Sequence, residues 1–525
     1  MLQKLFKFKG GIKPAHHKAE SQGAPIAIAP LPGRLVIPLS QSAGEAAQPV
    51  VAVGDRVLKG QFIGRAEGWL SSAVHASTSG TVVAVEPRLM PHPSGLATLS
   101  VVIEPDGEDR WLPLQAPDYK NMSPKAVLQY LQDAGVVGMG GAGFPSHAKM
   151  QNSTVLEDLV INGAECEPYI TCDDRLMRER AGEIVAGSRV IRDLLQVKRV
   201  LIGIEDNKPE AIAAMREAVE AMGETTFSVV VVPTLYPAGG IKQLIRVLTG
   251  KEIPVDKRST DLGIQCFNVA TALSVWRALN LGEPVVNRIV TLTGNVEQAG
   301  NWEVLIGTPM NELLALARPK ADTDGIIMGG PMMGISVPAF DVPVIKASNC
   351  LIARSPALFP PPPPEMPCIR CGACARVCPQ ELQPFELYWW SRARQFDKAQ
   401  AYNLASCIEC GCCAYVCPAN IPLVQYFRFS KGEIRAAAKE QKMADSAKAR
   451  FEFKQFRAER EKAEKAEKLA RAAAAQAAKL AAERDTPPGG ESDTAVYAAD
   501  AKQAVIAAAV ERARLQRAET DSRDA

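Results

Sequence analysis

The feature that most restricts this chain is a cysteine pattern written twice. Cys368-x2-Cys371-x2-Cys374-x3-Cys378-Pro379 is followed by Cys407-x2-Cys410-x2-Cys413-x3-Cys417-Pro418. Thiolates are soft ligands that suit iron–sulfur clusters. Three cysteines at two-residue gaps can wrap one four-iron cube, and the fourth, before proline, crosses to the cluster of the other run. The pattern therefore predicts a bacterial dicluster ferredoxin domain with two 4Fe–4S clusters. One is assigned to Cys368, Cys371, Cys374 and Cys417, the other to Cys407, Cys410, Cys413 and Cys378. Zinc is the rival, but zinc sites usually pair two cysteine couples across a longer loop, without a third cysteine at the same gap. Cys412 falls at the wrong spacing and is expected to be a buried, dispensable thiol. Nine of the 13 cysteines lie between Cys368 and Cys417. In a reducing compartment that distribution points to metal, not disulfides. A cluster passes one electron, so the module needs a donor and an acceptor.

At 525 residues the chain exceeds what one core organises. The predicted class is multidomain α/β with small β domains. Residues 1–32 form a basic, irregular N-terminal extension. Residues 33–115 read as short Val-rich strands with glycine turns, a barrel-sandwich resembling biotinyl and lipoyl domains. No lysine lies between positions 69 and 80, so no such group is expected. Residues 116–285 alternate helical periodicity with apolar strands, which implies an α/β domain with a largely parallel sheet. Residues 286–350 suggest a small β-grasp domain, 351–367 a proline-rich linker, and 368–430 the dicluster module. Residues 431–525 form an Ala/Lys/Glu-rich tail, helical or disordered, broken at TPPGGESD and free of catalytic groups.

Net charge is +2, which gives no support for a nucleic-acid partner. No apolar run approaches the roughly 18 residues that span a bilayer. MLQKLFKFKGG has no secretory h-region, so the chain is expected to stay in the cytoplasm.

The α/β region holds a glycine loop, Gly138-Met139-Gly140-Gly141-Ala142-Gly143-Phe144-Pro145. Glycines let backbone amides approach a phosphate or a ring; taken alone, a tight structural turn is as good a reading. The loop and Lys149 resemble the GxGGAGFPxxxK segment of the flavoprotein subunit of NADH:quinone oxidoreductase (complex I). Asn162-Gly163-Ala164-Glu165-Cys166-Glu167-Pro168 resembles that family's NADESEP. Tyr236-Pro237-Ala238-Gly239-Gly240 and Asn268-Val269-Ala270-Thr271 resemble two later flavin-site segments. The whole order, from FKGGIKPAHHK to the Ala/Lys tail, resembles the RnfC family of Rnf (Rsx) electron-transport complexes.

That resemblance implies an FMN-binding domain that takes NADH, and a peripheral subunit on the cytoplasmic face of the bacterial inner membrane. Its implied partners are the other subunits of an ion-translocating complex and a ferredoxin-type or membrane redox protein. Gly138, Gly140, Gly141 and Gly143 would approach FMN and the nucleotide, with Phe144 stacking on the nucleotide and Lys149 meeting a phosphate. Asn162, Glu165, Asn268 and Thr271 would hold the flavin, with Glu167 near the nicotinamide. FMN would bridge a two-electron donor to one-electron clusters, passing to the first cluster and then the second. No side chain is expected to act as acid or base. Gly240, Ile241, Phe267 and Ala270 depart from the complex I pattern. Of these, Ile241 and Phe267 support a rival reading in which the chain is a non-enzymatic relay and scaffold with a degenerate nucleotide site. A free cytosolic flavo-iron–sulfur reductase is a third reading, but no usual substrate domain is apparent.

Overall fold

The computed structural model describes residues 4–141, 143–151 and 155–484, with positions 507, 508 and 511. It divides into two compact units, Met1–Arg435 and Ala436–Ala525. Within the first unit, residues 33–115 build two small sheets. Leu35–Pro38, Ala97–Pro105, Gly80–Leu89 and Arg56–Val57 lie in that order in one antiparallel sheet. Gln48–Pro49, Phe62–Arg65 and Val74–His75 form the other. Leu35, Ile37, Ile63, Val82, Val101 and Ile103 are buried between them, the inward half of an alternating strand pattern.

The α/β domain has the expected parallel sheet, ordered Phe227–Val232, Arg199–Glu205, Asp158–Gly163, Ile264–Asn268. RVLIGIE is buried at every position after Arg199, as a strand covered on both faces requires. Parallel pairing needs long crossovers, supplied by helices including Ala181–Leu195, Pro209–Ala221 and Ile241–Thr249. From Asp158–Gly163 the chain adds two strands on one side, then returns to place Ile264–Asn268 on the other. The order of strand addition thus reverses between Asp158–Gly163 and Ile264–Asn268, which themselves run parallel.

The β-grasp sheet is mixed. Asn287–Gly294 pairs antiparallel with Gly300–Leu305 and parallel with Cys350–Arg354, which pairs in turn with Gly325–Met328. This sheet departs from the expected limits at both ends. Cys350–Arg354 is an interior strand that runs past 350, and Ala27–Ile28 of the N-terminal extension adds an edge strand against Gly300–Leu305. Pairing partners so distant in sequence, and a two-residue strand, leave no local periodicity to read.

In the cysteine module, short helices Ala373–Arg376 and Cys412–Tyr415 follow each run's second cysteine. Leu387, Tyr388, Leu404 and Phe427 form its buried centre. A single helix, Leu423–Arg484, leaves the module and continues into the second unit. There its described side chains, from 436 to 482, are all exposed, and Arg457–Glu461 and Arg460–Glu464 pair one turn apart. Ala, Lys, Glu and Arg favour helix without needing a packed face. The break expected at 486–493 lies outside the described residues. No helix among the described residues is long and apolar enough to cross a membrane.

Candidate cofactor site

In open α/β sheets, ligands bind beyond the carboxyl ends of the strands where the strand order reverses. Here that point lies between two paired asparagines, Asn162↔Asn268. Each asparagine organises the residues after it. Asn162 Oδ1 accepts from Ala164 N at 3.0 Å, and its Nδ2 donates to Gly239 O at 2.8 Å. Asn268 caps the helix Val269–Trp276, its Oδ1 accepting from Ala270 N at 2.8 Å, a standard N-cap bond. Its Nδ2 donates to Asp173 Oδ2 at 2.6 Å.

Further bonds draw the four sequence segments together. Met139 N in the glycine loop donates to the buried Thr271 hydroxyl at 2.9 Å. Asp173 N donates to Glu165 Oε1 at 2.8 Å, and Gly239 N donates to Cys166 Sγ at 3.2 Å. The loop is closed by Gly138 N to Phe144 O at 2.8 Å and braced from the barrel-sandwich by Ala43 N to Gly143 O at 3.0 Å. Gly141 has φ +114°, and a Cβ there would meet no atom within 4 Å. Glycine is required for that conformation, and the backbone faces open space. Gly140 lies beside Asn268, its would-be Cβ 3.4 Å from the asparagine's. Phe144 is partly exposed at the rim.

Charged groups line the floor. Glu165 is buried, its Oε2 3.7 Å from Lys18 Nζ and otherwise unpartnered. The Glu165 carbonyl accepts from two buried lysines, Lys18 at 2.8 Å and Lys208 at 3.4 Å. Burial and the adjacent Glu165 push the Asp173 carboxyl up to about 7. Neither Asp173 nor Lys18 stands out in the sequence. The acidic pair opening CDDRLMRE and the lysine of FKGGIKPAHHK are the only signals there.

Two expected contacts are differently placed. Lys149 points at the strand Ile264–Asn268, donating to the Cys266 carbonyl, with Nζ 4.7 Å from the Phe267 ring centre. Burial lowers its pKa. Phe267, a departure from the complex I pattern, is thus the lysine's cation–π partner. Glu167 faces the β-grasp domain, accepting from Met332 N at 2.7 Å and Met333 N at 3.0 Å.

The eight predicted cysteine ligands line two cavities, four to each. Cys378, Cys407, Cys410 and Cys413 surround one. Cys368, Cys371, Cys374 and Cys417 surround another. Each cavity mixes three cysteines of one run with the last cysteine of the other, a soft four-thiol donor set that fits a four-iron cube. Cys412 is fully buried at the edge of the first. That cavity abuts the α/β domain: Tyr236 Oη donates to Cys410 O at 2.7 Å, and Ile12, Tyr236, Cys410 and Cys412 share one buried cluster. Cys371, on the other cavity, is exposed. The second run, completed by Cys378, thus lies next to the α/β domain.

Comparison with known proteins matches the chain to four domain families: the RnfC barrel sandwich hybrid domain over residues 6–108, the Nuo51 FMN-binding domain over 131–277, the SLBB domain over 289–336 and the 4Fe-4S dicluster domain over 367–421. Among curated relatives, an ion-translocating oxidoreductase complex subunit of Cronobacter sakazakii is 51% identical over 87% of this chain and 59% of its own. Its Salmonella dublin counterpart is 50% identical over 87% and 65%. That of Salmonella gallinarum is 50% identical over 87% and 68%. The chain spans about three-fifths of the length of the first of these relatives and nearly two-thirds of the second.

Proposed function

The chain belongs to the RnfC family of ion-translocating oxidoreductase complex subunits, and from that premise we propose that it is the electron-input subunit of such a complex. In this reading it moves electrons between NADH and ferredoxin through FMN and two 4Fe–4S clusters. It sits peripherally on the cytoplasmic face of the membrane beside the other subunits. The observation that carries the reading is the junction at Tyr236, where the switch-point crevice and the Cys410 cavity meet in one chain.

FMN, when bound, accepts two electrons and releases them singly. The chain's own residues do the holding. The Asn268-capped helix and the Thr271 hydroxyl fix the glycine loop through Met139. Gly141 leaves its backbone open to a ring or a phosphate. Glu165 and Asp173 brace Asn268 from beneath, and Phe144 stands at the rim, where it would exclude water. Cys378, Cys407, Cys410 and Cys413 would receive the electron first, and the exposed Cys371 side would pass it on.

A second reading, an electron relay with a degenerate nucleotide site, is favoured by one observation: the Lys149 ammonium is already engaged by the Cys266 carbonyl and Phe267. The visible spectrum of the anaerobically purified chain separates the two. Flavin and cluster absorption that bleaches on adding NADH supports the input reading. Clusters that bleach with dithionite but not with NADH support the relay.

A further inference from the structure

We propose that Glu167 sets the reduction potential of the cluster assigned to Cys378, Cys407, Cys410 and Cys413, acting from the α/β side of the junction. The inference rests on the cofactor reading above and gives Glu167 a different task from the nicotinamide contact that resemblance implies.

The junction is built around this carboxylate. The two amides that donate to its Oε1, Met332 N and Met333 N, belong to the turn between strands Gly325–Met328 and Ile335–Ser336. Only glycine fits at 330: a Cβ there would stand 1.9 Å from Glu167 Cγ and 2.4 Å from Oε1. The same turn reaches the cysteine module, where a Cβ on Gly411 would meet Met332 O at 3.0 Å. Tyr236 closes the remaining side. Its hydroxyl donates its single hydrogen to the carbonyl of Cys410 at 2.7 Å, beside the Glu167 carboxylate. Cys166 and Met332 pack against the same buried cluster as Tyr236 and Cys410. Glu167 is thus a half-buried carboxylate held by two backbone donors, one side chain away from a ligand loop.

Iron–sulfur potentials respond to net charge, hydrogen bonding and exposure, and charge acts further where water is excluded. A fixed negative charge disfavours adding an electron and holds the potential down. The Tyr236 O–H, directed at the ligand loop, works in the opposite sense.

The test is an EPR-monitored redox titration of the full-length chain, reconstituted anaerobically, at pH 8. Glu167→Gln should shift the second-run cluster to higher potential, leave the first-run cluster unmoved and preserve iron content. Glu167→Asp keeps the charge and should return the potential toward that of the unaltered chain. Tyr236→Phe removes a donor and should shift the same cluster to lower potential; it carries the test should the glutamine variant load no clusters. An unmoved second-run signal, equal shifts in the Asp and Gln variants, or a shift confined to the first-run cluster would overturn the proposal. An unaltered chain that shows neither cluster signal would sink the cofactor reading itself, which is a separate result.

Discussion

Replacing Gly187 by alanine should damage the candidate FMN site from behind. Gly187 lies in the helix Ala181–Leu195, where that helix crosses Val269–Trp276. A Cβ at 187 would stand 1.9 Å from Ala272 O and 2.7 Å from its carbonyl carbon. That is about 1.5 Å short of ordinary contact. The atoms struck are backbone, so one helix must retreat. Overpacking of this kind costs about 1–3 kcal/mol, and a rigid partner puts it at the upper end. The retreating helix carries Asn268 as its cap and Thr271 as the acceptor for Met139 N. Losing that 2.9 Å bond adds about 1 kcal/mol. The expected loss is therefore about 2–4 kcal/mol, together with loss of bound flavin. Gly182→Ala is the control: it sits in the same helix with nothing within 4 Å, and should stabilise by a few tenths to about 1 kcal/mol. Urea titration followed by circular dichroism, with flavin content measured in parallel, reads both variants. A Gly187→Ala chain as stable and as flavin-rich as Gly182→Ala would refute the packing argument.

Three further outcomes are expected. Cys378→Ala should abolish the EPR signal of the second-run cluster and spare the first; the reverse would contradict the crossed cavities. Lys346 is buried, with its Nζ donating to Ala73 O at 2.8 Å and Gly135 O at 2.7 Å, and burial pulls its pKa down to about 7. The unfolded chain keeps that proton to higher pH, so stability should rise from about pH 7 toward pH 10. Lys346→Met should lack this rise, and equal slopes for the two chains would be the contrary result. Truncation at Asp445 should leave iron content and NADH-dependent bleaching intact, because the described helix beyond it buries no side chain; loss of bleaching would show that the tail does more.

Local features of this fold are legible in the sequence. Apolar runs such as RVLIGIE announce covered parallel strands, and the repeated cysteine spacing groups the same cysteines that line each cavity. The reversal of strand order that brings Asn162 beside Asn268 is a property of topology, which periodicity does not encode. The N-terminal extension looks irregular because its partners are remote. Lys18 reaches Glu165, Ile12 pairs with Tyr236, and Gly11 N donates to Val377 O. Segments that act as straps across other domains carry no repeating pattern of their own. The departures from the complex I motif are visible as residues but not as contacts: Phe267 makes sense only once Lys149 is seen over its ring.

At the centre stands the proposed wiring, in which the α/β domain would feed the second-run cluster and that cluster the first. Rapid-freeze EPR after mixing with NADH tests it on two variants, Cys413→Ser and Cys371→Ser, each lacking one cluster. The Cys371→Ser chain should reduce its remaining cluster at the unaltered rate, whereas the Cys413→Ser chain should reduce its flavin and leave its remaining cluster oxidised. Full-rate reduction of the Cys368–Cys374 cluster in the Cys413→Ser chain would contradict this wiring.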